Sequence, residues 1–221
     1  MKTNIEPLLP DSIYHIYNRG VNSENLFKEE RNYSYFLGKY DRFVSPVADT
    51  YAYCLLKNHF HLLIRTKGEK EILEFERLKR EASPTEGFLQ KASLQAKPSV
   101  NPSKIISNAF ASLFKSYAQS INKAHRRTGT LFEEPFRRIA VNSDGYFSRM
   151  IFYIHFNPQK HGFISDYRKY PHSSYSSFIM SQESSLINKK LVLEWFGDAV
   201  KFKEFHNIQS GTEDFKDLEW D

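Results

Sequence analysis

Two groups of residues in this chain have the types and spacing for chemistry: His59-Phe60-His61, and Tyr153 with Asn157. Side chains of an extended strand alternate between its faces, so His59 and His61 share one face while Phe60, Leu62 and Ile64 take the other. Two adjacent imidazoles are half of a divalent-metal site. Taken alone, a His-x-His pair is also an ordinary polar strand face. Tyr153 and Asn157 are four residues apart, which makes them neighbours on a helix. A phenol there can attack phosphorus, and a carboxamide can complete a metal site. On their own, they read equally as a core-edge tyrosine and a helix-end asparagine before Pro158.

The elements that must position these groups can be read from periodicity. Ser12 to Asn18 is β-branched and aromatic and stops at Arg19-Gly20, the mark of a strand. A helix over Glu29 to Val44 follows, then strands about Thr50 to Leu56 and His59 to Thr66, broken at Lys57-Asn58 as a hairpin. The stretch 67–104 turns charged and proline-containing and reads as a mobile insertion with one helix near Glu71 to Arg80. Asn101-Pro102 then caps a long helix carrying Ile106, Phe110, Leu113, Tyr117 and Ile121. Leu131 to Val141 is expected to form a fourth strand. A helix capped at Asn142 or Ser143 should then end near Asn157, because Pro158 follows. At about 100° per residue, Phe147, Met150, Ile151 and Ile154 form its core stripe. Tyr146, Tyr153 and Asn157 line one edge, and His155 points away. One amphipathic helix is expected around Val192 to Phe205.

The order βαββαβ predicts an α+β, ferredoxin-like (RRM-like) antiparallel sheet with two helices on one face and the other face open to a ligand. The helix after the fourth strand can lie across that open face.

Composition narrows the function classes. The 221 residues carry a net charge of +5 and include one cysteine, Cys54, so a disulfide framework and a thiolate zinc ribbon are excluded. No apolar run suggests a membrane span or leader, and the reading is a cytoplasmic, nucleoid-associated protein. The segment 183–221 has 9 acidic and 5 basic residues, leaving 26 basic against 17 acidic over 1–182. A basic body with an acidic tail suits a polyanionic partner.

His59-Phe60-His61-Leu62-Leu63-Ile64, then Gly129-Thr130-Leu131-Phe132, then Tyr153-Ile154-His155-Phe156-Asn157-Pro158-Gln159-Lys160-His161-Gly162 resembles the HUH tyrosine transposases of the IS200-like superfamily, in the REP-associated branch. Tyr170-Pro171-His172-Ser173-Ser174-Tyr175 and Leu193 to Asp198 extend the likeness. The resemblance implies a catalytic region over 1–162 and a C-terminal extension over 163–221. It implies His59, His61 and Asn157 as ligands of Mg²⁺ or Mn²⁺, and Tyr153 as the nucleophile. The implied activity is cleavage and rejoining of single-stranded or hairpin DNA through a 5′-phosphotyrosine. Glu133-Glu134-Pro135 departs from the basic residues expected there.

Such chemistry needs no nucleotide cofactor, because phosphotyrosine preserves a phosphodiester-like bond for a 3′ hydroxyl to attack. Lys115, Lys123, Arg126, Arg127, Arg137, Arg138 and Arg149 are the candidate phosphate contacts. The extension favours a monomer over the homodimer of autonomous relatives. Two other readings share the fold: a non-catalytic nucleic-acid-binding regulator, which has no use for the His59, His61, Tyr153 and Asn157 set, and a metallohydrolase using activated water.

Overall fold

The computed structural model describes residues 6–82, 101–180 and 186–211. Four strands, β1 (Ile13–Arg19), β2 (Ala48–Leu55), β3 (His59–Thr66) and β4 (Arg137–Ala140), form one antiparallel sheet in the order β2-β3-β1-β4. Helix α1 (Glu30–Phe43) joins β1 to β2. Helices α2 (Glu69–Glu81) and α3 (Pro102–Ala124) lie between β3 and β4. The α+β, βαββαβ arrangement expected from the sequence is therefore present. Asn101 caps α3 by accepting from the Ser103 N–H at 2.9 Å, with Pro102 at the first position, where its missing N–H costs nothing.

The sheet is buried on both faces. Phe60, Leu62 and Ile64 of β3 join Tyr14 and Ile16 of β1 in a core shared with Phe36, Phe110, Leu113 and Tyr117 of α1 and α3. The opposite face receives α4 (Asp144–Lys160), capped by Ser143. Behind α4 pack α5 (Tyr175–Ile179), α6 (Lys189–Phe196) and α7 (Ala199–Ser210), whose Tyr175, Val192 and Phe202 join Phe147, Met150, Ile151 and Ile154 in a second core. The free edge of β2 is paired by the segment leading to α5, with the Leu55 N–H donating to the His172 carbonyl at 2.9 Å and the Ser174 N–H to Tyr53 at 3.0 Å. Among the described residues, no helix is long and apolar enough to cross a membrane.

Five sequence expectations change. The fourth strand is only Arg137–Ala140, because Pro135 has no N–H to donate. Before it, Gly20 and Phe132 form a separate bridge, and Asn18 Nδ2 donates to the Glu133 carbonyl at 3.1 Å across the gap. Pro158 does not end α4, which runs to Lys160. The lost bond falls in the last turn, and the His161 N–H still reaches the Asn157 carbonyl at 3.0 Å. The helix of the 67–104 insertion is docked rather than mobile, since Ile72 is wholly buried against the α1–α3 core, a side-chain burial that contributes about 2 kcal/mol. The remainder of that insertion, 83–100, and the end of the acidic tail, 212–221, lie outside the described residues. The single helix over Val192 to Phe205 is two: Gly197 adopts φ +98, which L side chains resist, and Asp198 caps α7 by accepting from the Lys201 N–H at 2.8 Å. Finally, Tyr153 and Asn157 lie inside the packed surface rather than along the edge of the buried face. The stretch Phe152 to His155 is buried all round, because the C-terminal helices cover the side of α4 turned from the sheet.

That outer side of α4 is fastened by a buried polar chain. His206 Nδ1 donates to the Phe202 carbonyl at 2.8 Å, so its Nε2 accepts from His155 Nδ1 at 3.0 Å. His155 Nε2 in turn accepts from the Ser174 hydroxyl at 2.8 Å. With both rings neutral, every position in the chain is filled. Burial, reinforced by the facing His206, pushes His155 well below its ordinary value. Burial pushes His206 down from 6.5 to about 4. Because both folded-state values lie below that of an unfolded histidine, this stability is present above pH 6.5 and lost as the pH falls toward 4. At about 1.4 kcal/mol per pH unit, His206 alone contributes about 3 kcal/mol to the loss. Denaturant unfolding followed at pH 7, 6, 5 and 4 should show stability falling through this window; a flat profile would contradict the neutral-histidine chain.

Candidate active site

The site forms where β1, β3 and α4 meet. Register pairs Tyr17 with His61 and Arg19 with His59, which brings the β1 residues of the same face beside the two histidines. On β3, His59 is half-buried at the mouth of a cleft of about 350 Å³, and His61 is fully buried at its floor. Arg137, opposite Tyr17 on β4, and His161, just past α4, also line the cleft.

Helix α4 lowers Tyr153 and Asn157 onto this face. The Tyr153 ring meets His61 edge-on at 5.7 Å between centroids, and Lys160 Nζ stands 5.0 Å from the Tyr153 ring centre. Asn157 Oδ1 is 3.3 Å from His59 Nε2. The His59 Nδ1–H donates to Asn58 Oδ1 at 2.8 Å, so a neutral His59 presents the Nε2 lone pair to the Asn157 oxygen. Two acceptors at that distance are reconciled by a proton or a cation. The Asn157 Nδ2 amide is buried and makes no hydrogen bond among the described residues. The donor set of two imidazoles and a carboxamide oxygen therefore fits a divalent cation. The structure brings His59, His61, Tyr153 and Asn157 together as the sequence spacing suggested. It also seals Tyr153, which is 0% exposed. Tyr146, two turns up α4 and about 10 Å from Tyr153 along the axis, is not part of this cluster.

The basic candidates separate by position. Arg137 is exposed and lines the cleft. Lys115 is exposed on α3, beside a groove under residues 129–136 that shares Asn18 and Glu133 with the cleft. Lys123, Arg126 and Arg149 are exposed away from the cleft. Arg138 lies opposite Ile16 on the α1–α3 face, its guanidinium 3.9 Å from the Phe136 ring centre, and burial lowers its pKa. Arg127 is already committed: it pairs with Glu24 and donates to Asn122 and to the Thr130 carbonyl, closing the turn after α3. Lys28 and Arg127 together hold the Glu24 carboxyl below its usual range. Neither Arg127 nor Arg138 presents a free guanidinium to a phosphate at the cleft.

Sequence reading missed His15, Tyr17, Asn58, Lys160 and His161. His15 Nε2 lies 2.9 Å from His61 Nδ1, and the two rings meet edge to edge and nearly coplanar, with centroids 5.2 Å apart and 16° between planes. The alternation of His15 and Tyr17 on the first strand was the available signal, since both share a strand face. The first glutamate after Phe132 also gains a role, because Glu133 pairs with Arg19 at 2.6 Å on the lip of the cleft.

The sequence matches no protein-family model and no curated protein sequence. Its fold is that of a solved REP-associated tyrosine transposase, captured bound to a REP hairpin. The two share 11% identity, with a TM-score of 0.56 over 85% of this chain and 98% of that one. At that identity, the likeness bears on the α+β fold.

The contrast between two arginines gives a test of this geometry. Arg127→Ala should lower stability by about 1–3 kcal/mol by leaving Glu24 and Thr130 without their donor, whereas Arg137→Ala should leave the melting temperature within a degree or so. Equal losses from both would show that the commitment of Arg127 is misassigned.

Proposed function

We propose that this protein is a transposase-like enzyme that cuts and rejoins single-stranded DNA, with hairpin-containing DNA as its substrate class and Tyr153 as nucleophile. The observation that carries the reading is the meeting of the Tyr153–Asn157 turn of α4 with His59 and His61 of β3, with Asn157 Oδ1 3.3 Å from His59 Nε2. Its fold neighbour, a tyrosine transposase bound to a DNA hairpin, supports the same partner class.

In this reading, His59, His61 and Asn157 hold Mg²⁺ or Mn²⁺, which supplies Lewis-acid polarisation of the scissile phosphate. The protein's own residues do the rest. The Tyr153 oxygen forms a bond to phosphorus as the bond from phosphorus to the 3′ oxygen breaks; the phenolic proton is released, and the departing 3′ oxygen takes one up to become a hydroxyl. Reversal by another 3′ hydroxyl rejoins the strand. Lys160, over the Tyr153 ring, supplies positive charge where the phenol loses its proton. Arg137 at the mouth of the cleft offers a phosphate contact. Because Tyr153 is sealed against the sheet, substrate entry must shift the end of α4 relative to β3 before the phenol reaches phosphorus. One chain carries the histidines and the tyrosine on packed elements, which supports a monomer as the catalytic unit.

Incubating the protein with hairpin-containing single-stranded DNA and Mn²⁺ should yield a denaturant-resistant protein–DNA adduct. Tyr153→Phe should reduce it at least about a thousandfold, and EDTA should abolish it. DNA binding without any adduct in the wild type would instead identify a non-catalytic binder, and strand cleavage that persists in Tyr153→Phe would point to activated water. Glu133→Gln gives a separate expectation: releasing Arg19 from its exposed ion pair should tighten DNA binding by roughly two- to fivefold at low salt, a gain that shrinks as salt rises. Unchanged or weaker binding would place Arg19 outside the DNA path.

A further inference from the structure

The two histidines of the site are held in different ways that have one chemical outcome. His59 has its tautomer set by Asn58, whose Oδ1 accepts the Nδ1–H at 2.8 Å and leaves Nε2 bare toward Asn157. His61 is held from the neighbouring strand. Its Nδ1 instead meets Nε2 of His15 at 2.9 Å, on the adjacent strand. His15 is wholly buried, and register places it diagonally from His61, since β1 and β3 pair His15 with Leu63 and Tyr17 with His61. His15 also stacks on Tyr17 at 4.9 Å and 19°, and Tyr17 on His61 at 5.9 Å and 17°, so three nearly parallel rings fix the plane of the His61 imidazole.

The geometry points to His15 as a positioning residue for metal capture: it accepts the Nδ1–H of His61 and so holds His61 in the tautomer whose Nε2 carries a lone pair. A ligating nitrogen must be unprotonated, and the proton on the other ring nitrogen must go to an acceptor. Carboxylates and carbonyls usually fill that role. Here the acceptor is a second neutral imidazole, which adds no negative charge beside a cation that has to meet phosphate. With Asn58 doing the same for His59, both ligands present Nε2 bare before any metal arrives. The inference rests on the metal site proposed above.

The test uses the full-length protein and two measurements. Long-range ¹⁵N–¹H correlation spectra of the histidine rings, recorded without metal, should show His61 carrying its proton on Nδ1; a proton on Nε2 of His61 overturns the proposal whatever the variants do. Mn²⁺ binding, read from the loss of the free-ion paramagnetic resonance signal, should weaken 10–100-fold in His15→Leu and recover most of the wild-type affinity in His15→Gln, whose Oε1 can accept at the place of the lost Nε2. Metal-free melting curves of both variants report on folding. If the two variants melt alike while only the leucine variant loses Mn²⁺, the effect is one of positioning. Wild-type affinity retained in His15→Leu overturns the role of His15 and leaves the metal site standing, whereas a wild-type protein that takes up no Mn²⁺ overturns the metal site itself.

Discussion

Everything at the candidate site depends on the pairing register between β1 and β3. Side chains alternate strictly across a strand, so a one-residue slip of β3 would send His59 and His61 into the phenylalanine core, away from His15, and turn Phe60 and Leu62 toward the site in their place. The slipped state would bury imidazoles among Phe36, Phe110 and Phe114 and take Phe60 and Leu62 out of that core. The α1–α3 core thus holds the histidines in place from behind the sheet. It contributes nothing to their chemistry, yet it decides which way they face.

On the other face, placement comes from α4, and α4 is positioned by what lies behind it. Its sheet side carries Tyr153 and Asn157, and its outer side carries His155, tied through His206 to the backbone of α7. The polar chain closes with neutral rings, and burial favours the neutral form. The continuation of the helix through Pro158 matters as well, since ending at Asn157 would remove the last turn that carries Lys160 over the Tyr153 ring.

Much of this was legible in the sequence, for reasons that differ by element. The β3 strand was read to the residue because its alternation is uninterrupted, and α3 because Asn101-Pro102 announces its start. The four residues of the cluster were found because each pair obeys the period of its own element. What one element's period cannot show is a neighbour. Tyr153 was read as an edge residue because a helical wheel knows nothing of the strands it lies against, and His15 passed as strand filler because its partner is 46 residues away. The short β4 and the break at Gly197 were local signals outweighed by apolar periodicity that ran on across them.

The two-sided burial of α4 has a consequence for how variation in this protein would be interpreted. A helix with one solvent face tolerates change over half its circumference, but here nearly every position from Met150 to Pro158 is packed. A survey of sequence tolerance would show an unbroken intolerant block in which Phe152 and His155 score like Tyr153 and Asn157. Intolerance would then mark the whole wedge between sheet and outer helices, and only assays that separate folding from strand cutting would divide it into its two halves.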